Sequence, residues 1–160
     1  MAQADVAMAL WFSREISATE GNTTQEILLE DVADRVKEGG DLAGAIKGVT
    51  GHDPRAGDFG IEVLGSLVAM ALIEGLKVFW AAYIKELEEK AGKSLANATL
   101  DYIKSLFKKD AIGPSASEIQ AKMKGAIKDA AAKLNVDPAA LDAALGAIGP
   151  TVAAAGASGN

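Results

Sequence analysis

Chemistry in this chain has few places to start. His52 is the single histidine and cysteine is absent, so thiolate metal sites, cysteine nucleophiles and disulfides are all excluded. His52 stands in the stretch Thr50-Gly-His-Asp-Pro-Arg-Ala-Gly-Asp58, where Asp53 and Asp58 add two carboxylates. An imidazole and two carboxylates can in principle hold a divalent cation. Here they share one loop, with no second histidine and no i, i+4 helical spacing of the kind metal-binding helices use. Asp-Pro and Gly-Asp are ordinary turn and helix-capping pairs, so the expectation is a surface histidine with no metal and no cofactor.

Two further matches fail on their own residues. Lys90-Ala-Gly-Lys-Ser94 ends like a phosphate-binding loop, but that loop needs a glycine five positions before Gly92, and Leu87 stands there on a charged helical stretch. Gly92 instead reads as a helix terminator and Ser94 as the cap of the next helix. The segment from Ala131 to Leu145 resembles the core of DNA-binding helix-turn-helix units over about 15 residues, a spacing shared by many helical hairpins. A reading helix needs side chains that reach bases or phosphates, and the second half, Asp137 to Gly146, offers alanines with Asp137 and Asp142.

Charge points the same way. The first 60 residues hold five Lys or Arg against eleven Asp or Glu, and the remaining 100 are balanced, so the whole formal charge of −6 lies in the first third. Phosphate backbones are bound through Lys and Arg, and an acidic chain without a basic region is a poor nucleic-acid partner. No nucleic acid is expected. No acid, base and nucleophile stand at a recognisable catalytic spacing either, so the chain reads as a non-enzyme; a small helical enzyme or apolar-ligand binder is the third alternative.

The elements that would position any site are helices. Nothing alternates with the period of a strand, and the fold class expected is an all-α bundle of five to seven helices around a long central helix at about residues 58–91, with an alanine-rich C-terminal hairpin. A first helix, about 2–17, carries apolar residues around most of its circumference and should be buried on more than one side. Thr23-Thr-Gln-Glu26 is a capping box and starts an amphipathic helix with Leu28, Leu29, Val32, Ala33 and Val36 on one face. Gly39-Gly40 ends it, and Asp41 can cap a short helix to Ile46. Residues 95–108 form a two-faced helix expected to fold back along the long one. A second capping box, Ser115-Ala-Ser-Glu118, starts a helix to Leu134, and Asp137-Pro138 reads as a cap followed by proline in the first turn. The expected organisation is a main bundle at 1–112, a hairpin at 113–148 that either docks on it or stands apart, and a mobile tail at 149–160.

The long helix carries the functional expectation. Its middle, Val63 to Tyr83, is apolar apart from Glu74 and Lys77. At 100° per residue Glu62, Glu74, Lys77, Lys85 and Glu88 fall within an arc of about 140°, a charged stripe along an otherwise apolar wall. Gly65 and Gly75 would let a neighbouring backbone approach. Within this helix the longest uncharged run, Val63 to Ile73, is 11 residues, short of the ~20 a membrane span needs, and a longer one would bury Glu74 and Lys77 at about 2.5–3.5 kcal/mol each. A constitutive span is therefore rejected. With 32 alanines in 160 residues, helix contacts are close and individually weak, so the apolar wall is expected to be partly uncovered. Leu76, Phe79, Trp80 and Tyr83 are the expected hydrophobic contact patch of a self-assembly or protein-interaction module. The alternative is a membrane-perturbing, pore-forming effector that inserts the same helix after oligomerising. The N-terminus lacks the basic region of a signal peptide and its apolar stretch is interrupted by Asp5, Ser13 and Arg14, so a cytoplasmic protein is expected, with membrane association as the alternative.

Overall fold

The computed structural model describes residues 4–21, 23–37, 44–45, 61–95 and 98–157. Six long helices run through them: α1 Ala4–Thr19, α2 Thr23–Lys37, α3 Ile61–Ala91, α4 Leu100–Ala111, α5 Ala116–Lys133 and α6 Pro138–Ala157. No strand occurs among the described residues, and the all-helical bundle read from periodicity is what the chain forms. Of the short helix expected at 41–46, residues 44 and 45 are helical and the rest lies outside the described residues.

Helix α3 packs mainly on α1 and α5, and α2 packs on α1 and touches α3. Met8, Ala9, Phe12, Ile16, Ser13 and Ser17 of α1 are all buried, because α1 also meets α4 and α6. Its unpatterned hydrophobicity thus records a helix enclosed on several sides. Helix α2 behaves as its one-faced pattern demands, with Leu29, Val32 and Ala33 buried and Glu30, Asp31, Asp34 and Arg35 exposed.

Gly75 sets how closely α3 and α5 approach. A Cβ placed there would lie 2.5 Å from the Ile127 Cα and 2.8 Å from its backbone nitrogen. Backbone cannot swing aside as a flexible side chain can, so Gly75→Ala must push the helices apart. The expected cost is about 1–3 kcal/mol, although alanine is the better helix former by about 1 kcal/mol. Gly125 and Gly146 have open space where a Cβ would go, and Gly125→Ala should raise stability by up to about 1 kcal/mol. Urea denaturation of the two variants checks the opposite signs.

The chain ends its helices partly as expected. Gly92, at φ +69°, stops α3, its backbone N–H bonding the Glu88 carbonyl at 2.9 Å. Asp137 accepts the Ala139 backbone N–H at 3.1 Å and caps α6, with Pro138 in the first turn. Three expectations need correction. Thr99, not Ser94, caps α4, receiving the Tyr102 N–H at 3.2 Å, and Ser94 turns back to the Glu88 carboxylate. Ser115 makes no side-chain cap bond, its backbone at φ −77°, ψ −8° lying in the helical region and not the extended one a cap takes, and the Glu118 carboxylate pairs with Lys122 at 3.1 Å. Helix α4 is not the main companion of α3, a role taken by α1 and α5; it reaches α3 through side chains near its C-terminal end.

Residues 149–157, expected to be mobile, are the last two turns of α6. Thr151, Val152, Ala155 and Gly156 are buried, and Gly156 packs against Ala111 and Ile112 at the end of α4. The Thr151 hydroxyl lies 3.0 Å from that of Thr19 on α1 and 2.6 Å from the Ala147 carbonyl oxygen. Pro150 sits inside this helix and is exposed. The hairpin α5–α6 accordingly shares one continuous core with the rest, α5 on α3 and α6 on both α1 and α4.

Candidate functional site

The four residues expected to form a surface contact patch are interior. Leu76 and Trp80 are 0 % exposed, Phe79 5 % and Tyr83 6 %. They are covered because α1 and α4 bring aromatic partners to the same place. Trp11, Phe12, Phe79, Trp80, Tyr83 and Phe107 form one cluster, with Trp80 4.9 Å from Phe107, 5.1 Å from Phe79 and 6.3 Å from Phe12 between ring centroids. Most of these pairs are edge-to-face, the favoured arrangement of ring quadrupoles. Trp11 and Trp80 are tilted at 54°, and Phe79 and Tyr83, one turn apart on α3, stack at 5.5 Å with an interplanar angle of 15°.

The charged stripe divides along its length. Glu74, Lys77 and Glu88 are half-buried and Lys85 is exposed, whereas the side chain of Glu62 lies outside the described residues. Glu88 has a structural task, accepting the Leu95 backbone N–H at 2.7 Å and so holding the turn that leaves α3. The loop residues His52, Asp53 and Asp58 also lie outside the described residues. Among the described residues no cluster of His, Asp and Glu is arranged to hold a metal ion.

Where the aromatic cluster comes nearest the surface there is a cleft of about 390 Å³ between α3, α5 and the turn joining α4 to α5. Phe79, Tyr83, Ile119 and Ala126 line it with Val78 and Ala82. Val78, 64 % exposed, stands at its edge. Helical spacing puts 78, 79, 82, 83, 86 and 90 on one side of α3, and the i, i+3/i+4 series 115, 118, 119, 122 and 126 on the facing side of α5. The polar lining is Glu86, Lys90, Asp110, Ser115, Glu118 and Lys122. Within it Lys122 bridges Glu86 at 3.4 Å and Glu118 at 3.1 Å.

The inner polar contact is a hydrogen bond from the Tyr83 hydroxyl to the Asp110 carboxylate. Burial pushes the Tyr83 phenol well above its ordinary range, and the Asp110 acceptor and the nearby Glu86 charge push it the same way. A raised pKa means the folded protein holds this proton while the unfolded chain releases it near pH 10. The stability tied to this proton is therefore fully present below pH 10 and falls as pH rises beyond it, by about 1.4 kcal/mol per pH unit for one proton. Tyr83→Phe should cost about 1 kcal/mol at neutral pH and flatten the fall in stability above pH 10, as measured by urea denaturation at pH 7 and pH 11.

Of the cleft's polar residues, Ser115 and Glu118 signal only a capping box in the sequence and Lys90 only a failed phosphate-loop match, while Glu86, Asp110 and Lys122 give no signal. Asp110 and Tyr83 are 27 positions apart, and only the packing of α4 across α3 joins them. Among the described residues one helix, α6 from Pro138 to Gly156, is long and apolar enough to cross a membrane, with mean hydropathy 1.3 and 44 % of that window buried. The core helix of a bundle meets the same criteria of length and composition. Comparison of the chain with protein families, with curated proteins and with solved structures finds no match.

Proposed function

We propose that this chain is a non-enzymatic binding module that receives an apolar group of its partner in the cleft between α3 and α5. The observation that carries the reading is the cleft itself: stacked aromatic rings and Ile119 form an apolar interior, an ionic rim surrounds it, and Val78 extends the apolar surface to the outside. Clefts between bundle helices with a few convergent polar groups are where such folds hold ligands. The contact surface moves from the buried Leu76, Phe79, Trp80 and Tyr83 to the edge they leave open. A second copy of the chain, another protein and a small amphiphile are all partners under this reading, each contributing an apolar group.

Ala82 is exposed and lines the cleft, so Ala82→Trp can fill it without disturbing the core. Titration with n-octanol, followed by backbone amide shifts, should give saturable shifts at residues 82, 83, 110 and 119 in the unmodified chain and none in Ala82→Trp. Equal shifts in both proteins would count against the reading.

A second reading, a membrane-perturbing effector, draws on α6 rather than α3. Its exposed residues, among them Ala139, Ala143, Gly146, Ala153 and Ala154, are small and uncharged, with Asp142 the one acid. Insertion would require α6 to leave α1 and α4. Dye release from anionic vesicles, abolished by Ala143→Lys, supports it, and vesicles left intact by the unmodified chain remove it.

A further inference from the structure

We infer that the cleft selects a small organic ammonium ion carrying an apolar tail; the inference rests on the cleft-binding reading above and names its ligand class. The argument begins with which charges in the cleft are already answered. Glu86 and Glu118 share Lys122 between them. Asp110 has a different neighbour, the hydroxyl of Tyr83, which donates a hydrogen bond but carries no positive charge. A carboxylate has about four acceptor positions, so this bond leaves most of its capacity unused. Asp110 is also half-buried, where a charge is incompletely hydrated and gains more from a cation than one in open water.

The tyrosine fixes this carboxylate and keeps it an acceptor. Because burial and the Asp110 bond hold the phenol protonated, Tyr83 adds no negative charge and no competing cation. Beside the carboxylate lies the ring of Tyr83, stacked on that of Phe79, with π-systems that favour positive charge, and Ile119, Ala126, Val78 and Ala82 line the same cleft. An anion, aromatic rings and aliphatic side chains lining one cleft complement an ammonium head on a hydrocarbon stem. A cleft of 390 Å³ lies within the usual range for small-molecule sites. The opposing feature is Lys90, exposed at the rim. It is the group an anionic amphiphile would choose, so the two charge types report on different side chains of the cleft.

The test compares n-octylammonium, n-octanol and n-octanoate on the full chain at pH 7, by calorimetry and by amide shifts. Octylammonium should bind at least tenfold more tightly than octanol, about 1.4 kcal/mol, with its largest shifts at Tyr83, Asp110 and Ser115. Asp110→Asn should remove that preference and leave octanol binding within a factor of two. Tyr83→Phe, which keeps the ring and frees the carboxylate, should retain the preference, and it serves as the second variant if Asp110→Asn does not fold. Octanol or octanoate binding as tightly as octylammonium, or a preference that survives Asp110→Asn, overturns the ammonium assignment while the apolar cleft stands. Failure of all three probes to bind saturably overturns the cleft reading and this inference together.

Discussion

Trp80→Ala will cost about 3–5 kcal/mol, the range for emptying a large aromatic site. Most single small domains have about 5–15 kcal/mol in total, so the variant should be partly unfolded near 37 °C. The reason is location. Trp80 is 0 % exposed and contacts Phe12 from α1, Phe79 and Tyr83 from its own helix, and Phe107 from α4. Deleting the indole leaves a cavity facing three helices at once, and rigid rings cannot collapse into it as aliphatic chains partly do. Trp80→Phe separates volume from polarity. The indole N–H has no hydrogen-bond partner among the described residues, and an unanswered buried donor costs about 1–3 kcal/mol. Removing it offsets part of the lost packing, so Trp80→Phe should cost under about 2 kcal/mol. Thermal denaturation by far-UV circular dichroism reads both; a Trp80→Ala protein as stable as the parent would mean that this site is not enclosed.

The second large effect is at the C-terminal end. A chain stopped after Gly149 loses Thr151, Val152 and Ala155 from the interior and leaves the ends of α1 and α4 uncovered where Thr151 and Gly156 sat. Burying one valine is worth about 1.5–3 kcal/mol, so with its neighbours the truncation should cost about 3–5 kcal/mol. Val152→Asp isolates the effect at one position, since it places a carboxylate where the side chain is 0 % exposed. A buried charge without a partner is costly by several kcal/mol. Both variants should lower the urea midpoint strongly. A truncated chain with an unchanged midpoint would return residues 150–157 to the status of a tail.

That tail shows why part of the fold was hidden in the sequence. Gly149-Pro150 carries two helix-breaking residues, and interior proline costs about 3 kcal/mol in helix propensity. Local preference thus argued for an end at Ile148. The helix continues because burial of Val152 and Ala155 and the close contact of Gly156 with α4 supply a tertiary gain that propensity does not register. By contrast α2 and α5 were legible, since Leu29, Val32 and Ala33, and likewise Ile119, Met123 and Ile127, repeat at core spacing with charges opposite. The turns at Gly92 and Asp137-Pro138 were legible for the same kind of reason: their chemistry is local.

The candidate site was hidden for another reason. An apolar wall on a helix states that something covers it, but not what. Leu76, Phe79, Trp80 and Tyr83 look alike in sequence whether the cover is a partner or the chain itself, and Phe12 and Phe107, 95 positions apart, give no sign that they converge at 5.8 Å. Only the crossing of α1 and α4 over α3 turns a supposed contact surface into core. Gly75 was legible as a place of close approach, though which helix approaches it was not. The cleft depends on Asp110 and Lys122, ordinary solvated charges on any helical wheel until the packing of α4 and α5 against α3 sets them around one space.

The central claim is that the aromatic wall of α3 is enclosed by the protein's own helices. Trp11→Phe leaves Trp80 as the single tryptophan, and acrylamide quenching of its emission, with and without lipid vesicles, tests the claim directly. Enclosure by α1 and α4 predicts weak quenching that vesicles do not change. Strong quenching in water, or quenching by brominated lipid when vesicles are added, would show that this wall meets solvent or membrane and would contradict the account.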